Sequence, residues 1–280
     1  MKKSLWSKIK IGKLSALILA VIWLGVAVVP FVFMAITSFK QSSELFKSGT
    51  FALPESFYLK NYVKVLSGNF ANYFLNSVIV MFVSVIGIMI VASMSGYIFA
   101  RLTTKVTQKL YGIVVACMSI PVHVAFIPIF ILTKKMGTYD SIWGLVGPYI
   151  AFYLPISVFI LTGFMKGIPK EMEEAAIIDG CSLYQTFYRI IVPLSKSGLT
   201  TIAIYDSVYI WNEFSFALIL TQSPASRTLP LAIWDFKGEF STDIPMVLTV
   251  LTLSAIPMII AFCIGQDKLV KGMMAGAVKG

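Results

Sequence analysis

Asp206 and Glu213 stand seven residues apart inside an otherwise apolar block, in company with Tyr209, Trp211 and Asn212. On a helix, a spacing of seven returns nearly to the same face. Two kinds of chemistry suit such a face. Its polar groups accept hydroxyls of a sugar while Tyr205, Tyr209 and Trp211 stack on the ring, or its carboxylates carry protons or sodium ions. Ionisable groups within a membrane are costly and default to function. Asp206, Tyr209, Trp211, Asn212 and Glu213 are therefore expected to line a translocation path or the joint with a partner chain. The plainer alternative is that Asp206 and Glu213 bond other helices inside a bundle. Bond-making chemistry finds no support, because the chain has no G-x-x-x-x-G-K-[ST] run, no HExxH and no paired metal-ligand motif. His123 is the only histidine and lies between Pro121 and Pro128. It is expected to satisfy carbonyls that the prolines free. No catalytic residue, metal or cofactor is expected, and energy must come from another subunit or a gradient.

The elements that must hold this face are membrane helices. Of 280 residues, 58% are hydrophobic and only 13% charged, with a mean hydropathy of +0.84. A soluble chain carries roughly 25% charged residues, so a cytosolic enzyme and a disordered chain are both excluded. The net charge of +10 is spread between apolar blocks, not gathered in one aromatic-laced patch, which argues against nucleic acid. Cys117, Cys181 and Cys263 are far apart and form no CxxC pair. Crossing the hydrocarbon core takes about 20 apolar residues, and six blocks qualify: 14–36, 74–100, 110–132, 142–165, 199–220 and 245–265. The first follows five lysines, as a signal peptide would. Its apolar core, 23 residues long, exceeds a signal's usual 7–15, so it is expected to remain as a span.

The expected fold class is an all-α integral membrane protein with six transmembrane helices. Residues 1–13 form an N-terminal segment, 14–265 the six-span domain and 266–280 a tail. One set of connecting segments carries 15 Lys and Arg, namely five before the first span, three in 101–109, four in 166–198 and three in the tail. The opposite set carries eight, including the pair Lys134-Lys135. That asymmetry places both termini in the cytoplasm. Ala92 and Gly96 have the small-xxx-small spacing of closely packed helices.

One cytoplasmic connection stands out. Residues 166–198 make a loop of 33, far beyond the usual 2–8 between bundled helices. Pro169 and the acidic Glu171, Glu173 and Glu174 suit the start of a helix, and Gly180 suits its stop. Ser182 and Gln185 have capping-box spacing for a second helix, which Pro193 is expected to end. Ala175, Ala176, Ile177, Ile178, Phe187 and Tyr188 give this loop an apolar surface that fits packing on another protein, or on its own chain beneath the membrane.

Glu174-Ala175-Ala176, Gly180 four residues on, then Ile190, Val192 and Pro193 resemble the EAA signature of ATP-binding-cassette importer permeases. That pattern is E-A-A, three residues, G, nine residues, I-x-L-P; only Val192 departs from it. From about Pro30 onward the chain is similar to the carbohydrate branch, specifically the maltose-permease-like second subunit. The residues concerned are Pro30, Thr37-Ser38-Phe39-Lys40, Asn61-Tyr62, Asn76-Ser77, Tyr97, Ala100-Arg101, Ile127-Pro128, Trp211-Asn212-Glu213-Phe214, Leu229-Pro230 and Ala275 to Gly280.

The resemblance implies a transmembrane subunit of an ATP-driven importer, with no catalysis of its own. It implies a second, homologous permease subunit, two cytoplasmic ATPase subunits and an extracytoplasmic solute-binding protein that delivers a sugar or oligosaccharide. By the same resemblance, Glu174, Ala175, Ala176, Asp179, Gly180 and Pro193 belong to a coupling helix seated in the ATPase. Gly276, Ala277, Val278, Lys279 and Gly280 form a second contact with it. The rival reading is a gradient-driven carrier using Asp206 and Glu213, which would need no such dock.

Overall fold

The computed structural model describes residues 2–47, 51–238 and 242–277, with side chains for 13–45, 51–238 and 242–263. Among the described residues the regular elements are helices, with one isolated antiparallel bridge between Lys237 and Thr242. In chain order the α-helices are α1 (Lys2–Ser38), α2 (Glu44–Lys47), α3 (Lys60–Ser67), α4 (Phe70–Arg101), α5 (Lys105–Cys117), α6 (Phe126–Lys135), α7 (Trp143–Lys166), α8 (Glu171–Ile178), α9 (Leu183–Thr186), α10 (Val192–Leu194), α11 (Lys196–Trp211), α12 (Ser215–Leu220) and α13 (Ile244–Ala277). Among the described residues, four helical stretches are long and apolar enough to cross a membrane: Lys13–Ser38, Phe70–Arg101, Trp143–Lys166 and Ile244–Cys263. They coincide with four of the six expected blocks.

The other two blocks are not continuous helices. The block 110–132 is split into α5, a 3-10 turn at Val122–Ala125 and α6, and the two α-helices are bent by 94°. Pro121 has no amide to continue the ladder and disfavours helical backbone at the residue before it. The expected role of His123 at this break is not what is seen. Its imidazole is exposed, edge-on to Phe126 at 5.2 Å, while its backbone carbonyl accepts the Phe126 N–H. The block 199–220 breaks at Asn212–Phe214, between α11 and α12. At ~1.5 Å per residue, neither piece alone covers a ~30 Å core.

The chain divides into two compact units, Met1–Gly68 with Ile233–Ile256, and Asn69–Ala232 with Pro257–Gly280. In the first, the end of α1 is tied down by polar groups. Asn61 Nδ2 donates to the carbonyls of Ser38 and Lys40, both at 2.9 Å, and Thr249 Oγ1 donates to the Ser38 carbonyl at 3.2 Å. The Ser38 and Tyr62 hydroxyls share a 2.6 Å hydrogen bond. The most apolar stretch of α1 buries nothing within the chain, as suits a helix whose solvent is lipid or another protein.

In the second unit the principal packing is α4 on α7, with α11 against both. Ala92 is fully buried, and a Cβ at Gly96 would lie 3.2 Å from Leu161 Cβ and 3.3 Å from the Thr162 nitrogen, so the small-xxx-small spacing marks a close approach as expected. Gly198 brings α11 equally close, since a Cβ there would meet the Phe164 ring at 2.8 Å. Asn76 Nδ2 holds the Ala225 and Arg227 carbonyls at 2.9 Å each, and Ser77 Oγ accepts the Leu229 N–H at 2.8 Å.

Candidate functional site

The loop after α7 is built from local signals. Helix α8 ends in a Schellman arrangement: the Cys181 N–H reaches the Ala176 carbonyl at 2.9 Å and the Gly180 N–H reaches Ile177 at 3.0 Å. Gly180 has φ of +85°, a conformation most side chains resist. The capping box is present, with Gln185 N donating to Ser182 Oγ at 3.3 Å and Ser182 N to Gln185 Oε1 at 2.8 Å. Pro193 does not end the second element. A π turn at Phe187–Ile191 follows α9, and Pro193 sits in the first turn of α10, where its missing N–H is tolerated.

The loop is anchored to α4 and α7 on one side and, among the described residues, open on the other. Arg101, the last residue of α4, pairs through Nε with Glu173 and donates from Nη2 to the Ile168 carbonyl at 3.0 Å. Tyr97, one turn earlier, donates to the other oxygen of Glu173 at 2.9 Å. Beneath them Ala100, Met165 and Ile191 form a buried cluster flanked by Tyr97, Ile168 and Phe187. On the opposite side Ile178 and Tyr184 are each 84% exposed and Tyr188 74%, with Leu183 and Ile177 also open. These are large side chains for one short loop to leave open.

Glu174, Ala175, Asp179, Gly180 and Pro193 are exposed on this loop. Ala176 is the exception among the expected docking residues. It is only 6% exposed, so its small side chain serves packing within the chain and offers a partner almost nothing. In the tail, Gly276 and Ala277 lie in the backbone at the end of α13. Val278, Lys279 and Gly280 lie outside the described residues.

The residues of the fifth block are brought together differently from expectation. Asp206 is fully buried, and its Oδ2 accepts the Ser157 hydroxyl at 2.8 Å, joining α11 to α7. It does not line an open face. Glu213 is a helix cap: Oε1 accepts the Phe216 N–H at 2.9 Å, and Oε2 accepts the Ala217 N–H at 3.2 Å and the Tyr149 hydroxyl at 2.7 Å. A carboxylate here satisfies the orphan amides that open α12 and favours the positive end of its dipole. Asn212 is exposed and its Nδ2 donates to the Val208 carbonyl at 2.8 Å, closing α11. Trp211 is buried edge-on to Phe74 at 5.6 Å. The sequence Trp211-Asn212-Glu213-Phe214 therefore ends one helix and starts the next.

Tyr209 alone of the expected path residues presents a half-open ring. It stacks with Tyr205 at 4.4 Å and faces Tyr153 of α7 at 6.0 Å. Tyr153 had no signal in the sequence beyond being an aromatic in an apolar block. Trp211, Phe74 and Pro257 are among the residues around a separate, largely apolar cavity of about 350 Å³.

Asp140 was also missed. With φ of +55° between α6 and α7, it clasps the segment after α12. Its N–H reaches the Leu220 carbonyl at 2.9 Å, and its Oδ1 accepts the Gln222 and Ser223 amides at 2.7 and 2.9 Å and the Ser226 hydroxyl. Burial opposes its charge, but these donors outweigh burial and pull its pKa down to about 2.

Residues 92–274 match the family described as the binding-protein-dependent transport system inner membrane component. A protein of Caldicellulosiruptor sp. (strain Rt8B.4), described as an ABC transporter permease, is 51% identical over 259 residues, 92% of this chain and 94% of its own. The melibiose/raffinose/stachyose import permease MelC of Bacillus subtilis (strain 168) is 30% identical over 254 residues, 90% and 91% of the two chains. In fold, the chain matches one from a bacterial ABC transporter involved in import of the acidic polysaccharide alginate. The TM-score is 0.77 at 20% identity, covering 91% of this chain and 95% of the other. Apolar helices, an anchored loop with an open side and these likenesses agree: the chain is a multi-pass membrane protein of the binding-protein-dependent transport system inner membrane component family.

Proposed function

We propose that the chain is one of two permease subunits of an ATP-driven importer for a sugar or oligosaccharide, handed over by an extracytoplasmic binding protein. Two separate ATPase subunits supply the energy, and the chain itself catalyses nothing. The observation that carries this reading is the loop of α8 and α9, tied to α4 and α7 through Arg101 and open through Ile178, Tyr184 and Tyr188. A connector with no partner has no reason to hold such rings in water. Glu174, Ala175, Asp179 and Gly180 sit on the seat itself, with Pro193 and the end of α13 as further contacts. The relative that imports melibiose, raffinose and stachyose supports a carbohydrate as cargo. The exposed polar loops and the excess of basic residues support a six-span arrangement with both termini in the cytoplasm. In that arrangement α5 with α6, and α11 with α12, are broken spans.

The neighbouring rings of Tyr153, Tyr205 and Tyr209 support a sugar contact there, since aromatic faces stack on the apolar faces of pyranose rings. Asp206 and Glu213 each accept a hydrogen bond from another helix, which favours the helix-joining reading of these carboxylates over the gradient-driven one. The test is uptake by the complete transporter in proteoliposomes, with binding protein outside and ATP inside. ATP-dependent uptake that persists when proton and sodium gradients are collapsed supports the proposal. Uptake that needs no ATPase and stops with an ionophore overturns it.

A further inference from the structure

The anchoring of the loop has one feature that docking does not require. Glu173 faces inward, away from Ile178 and Tyr184, and its carboxylate is divided between two donors on α4 one turn apart: Arg101 Nε on one oxygen and Tyr97 Oη on the other. Arg101 completes a triangle by holding the carbonyl of Ile168, two residues beyond the last residue of α7. The Arg101 and Glu173 side chains are only 11% and 13% exposed, so water competes little with the pair. The Tyr97 ring, at 5.2 Å from Phe187, ties the same helix to the π turn on the far side of the loop. An arginine fork holding a carboxylate and a carbonyl fixes direction as well as distance.

We infer that Arg101, with Tyr97, is the positioning residue that converts displacement of α8 into movement of α4 and α7. The inference rests on the proposed seating of the loop in an ATPase. The clamp sits on the inner side of α8 while the seat is on the outer side. Its loss leaves the ATPase bound and hydrolysing but lets the loop slide without carrying the helices. A lysine cannot replace the arginine, because a single ammonium cannot serve Glu173 and Ile168 in fixed geometry.

The experiment uses the complete transporter in proteoliposomes and reads three quantities: ATPase copurified per permease, ATP hydrolysed, and sugar transported per ATP. The variants are Arg101→Gln, Arg101→Lys, Glu173→Gln and Tyr97→Phe, the last removing one hydroxyl and leaving its ring on Phe187. Full copurification with a tenfold or greater fall in sugar per ATP for Arg101→Gln and Glu173→Gln, and a smaller fall for Tyr97→Phe, is the expected result. A merely structural role would lower the amount of assembled complex and leave that ratio unchanged. An unchanged ratio in all four variants, or loss of the ATPase in step with transport, overturns the inference. Failure of the unsubstituted chain to retain any ATPase would instead overturn the functional reading beneath it.

Discussion

The Tyr149 hydroxyl donates to Glu213 Oε2 at 2.7 Å, and the same carboxylate accepts the backbone amides of Phe216 and Ala217. A single side chain thus joins α7 to the start of α12 at the break between α11 and α12. Glu213→Ala should lower stability by about 1–2 kcal/mol, through the lost cap and a buried Tyr149 hydroxyl left without its acceptor. Glu213→Gln keeps an acceptor and should lose less than half of that. Thermal unfolding of the detergent-solubilised protein measures both, and equal losses would contradict the capping role.

Asp206 is expected to be replaceable in charge but not in shape. Its one bond comes from Ser157, and among the described residues its Oδ1 has no partner. Asp206→Asn should insert, assemble and support uptake that remains ATP-driven with gradients collapsed. Asp206→Leu strands the Ser157 hydroxyl and should cost about 1–3 kcal/mol. Abolition of uptake in Asp206→Asn with assembly intact would show that the charge itself is needed.

A methyl or larger group at Gly198 must displace the Phe164 ring. Gly198→Val should therefore destabilise the α7–α11 packing by about 1–3 kcal/mol, read as a lower unfolding temperature. Gly163, where an added Cβ meets nothing within 4 Å, provides the control: Gly163→Ala should be nearly neutral.

Much of this architecture is legible in the sequence, because membrane helices are read by length and hydropathy. The Schellman turn at Gly180 and the capping box of Ser182 and Gln185 are equally local, and the residues carry them unaided. What fails to show is whatever depends on a distant partner. Glu213 looks like a path residue until the amides of Phe216 and Ala217 are seen folding back on it. Asp206 looks like one until Ser157 arrives from another helix. Ala176 looks like part of a dock until the packing of the loop buries it. The pairing of Arg101 with Glu173, 72 positions apart, leaves no periodic trace in the chain.

Asp140 offers a pH test. Its folded pKa, about 2, lies below the unfolded value near 3.8, so the stability it gives is complete above that unfolded value. It is lost as pH falls from about 4 through about 2. Hydrogen exchange of the Gln222 and Ser223 amides should be protected at pH 5 and progressively less so toward pH 2. Asp140→Asn should remove that dependence, since asparagine tolerates the left-handed backbone but does not titrate in this range. The same slope in the variant would assign the effect to another group.

In the proposed function, the outer side of α8 and α9 seats an ATPase. Ile178→Asp combined with Tyr184→Asp alters two side chains that are each 84% exposed, so the permease should still insert and its helices should still pack. A residue at the centre of such an interface is worth about 2 kcal/mol or more, roughly thirtyfold in affinity. Copurification of the ATPase subunits with the tagged permease from membranes is the direct measurement. The double variant is expected to reach the membrane at normal abundance and to retain almost no ATPase. Normal retention, with uptake at the rate of the unsubstituted chain, would contradict it.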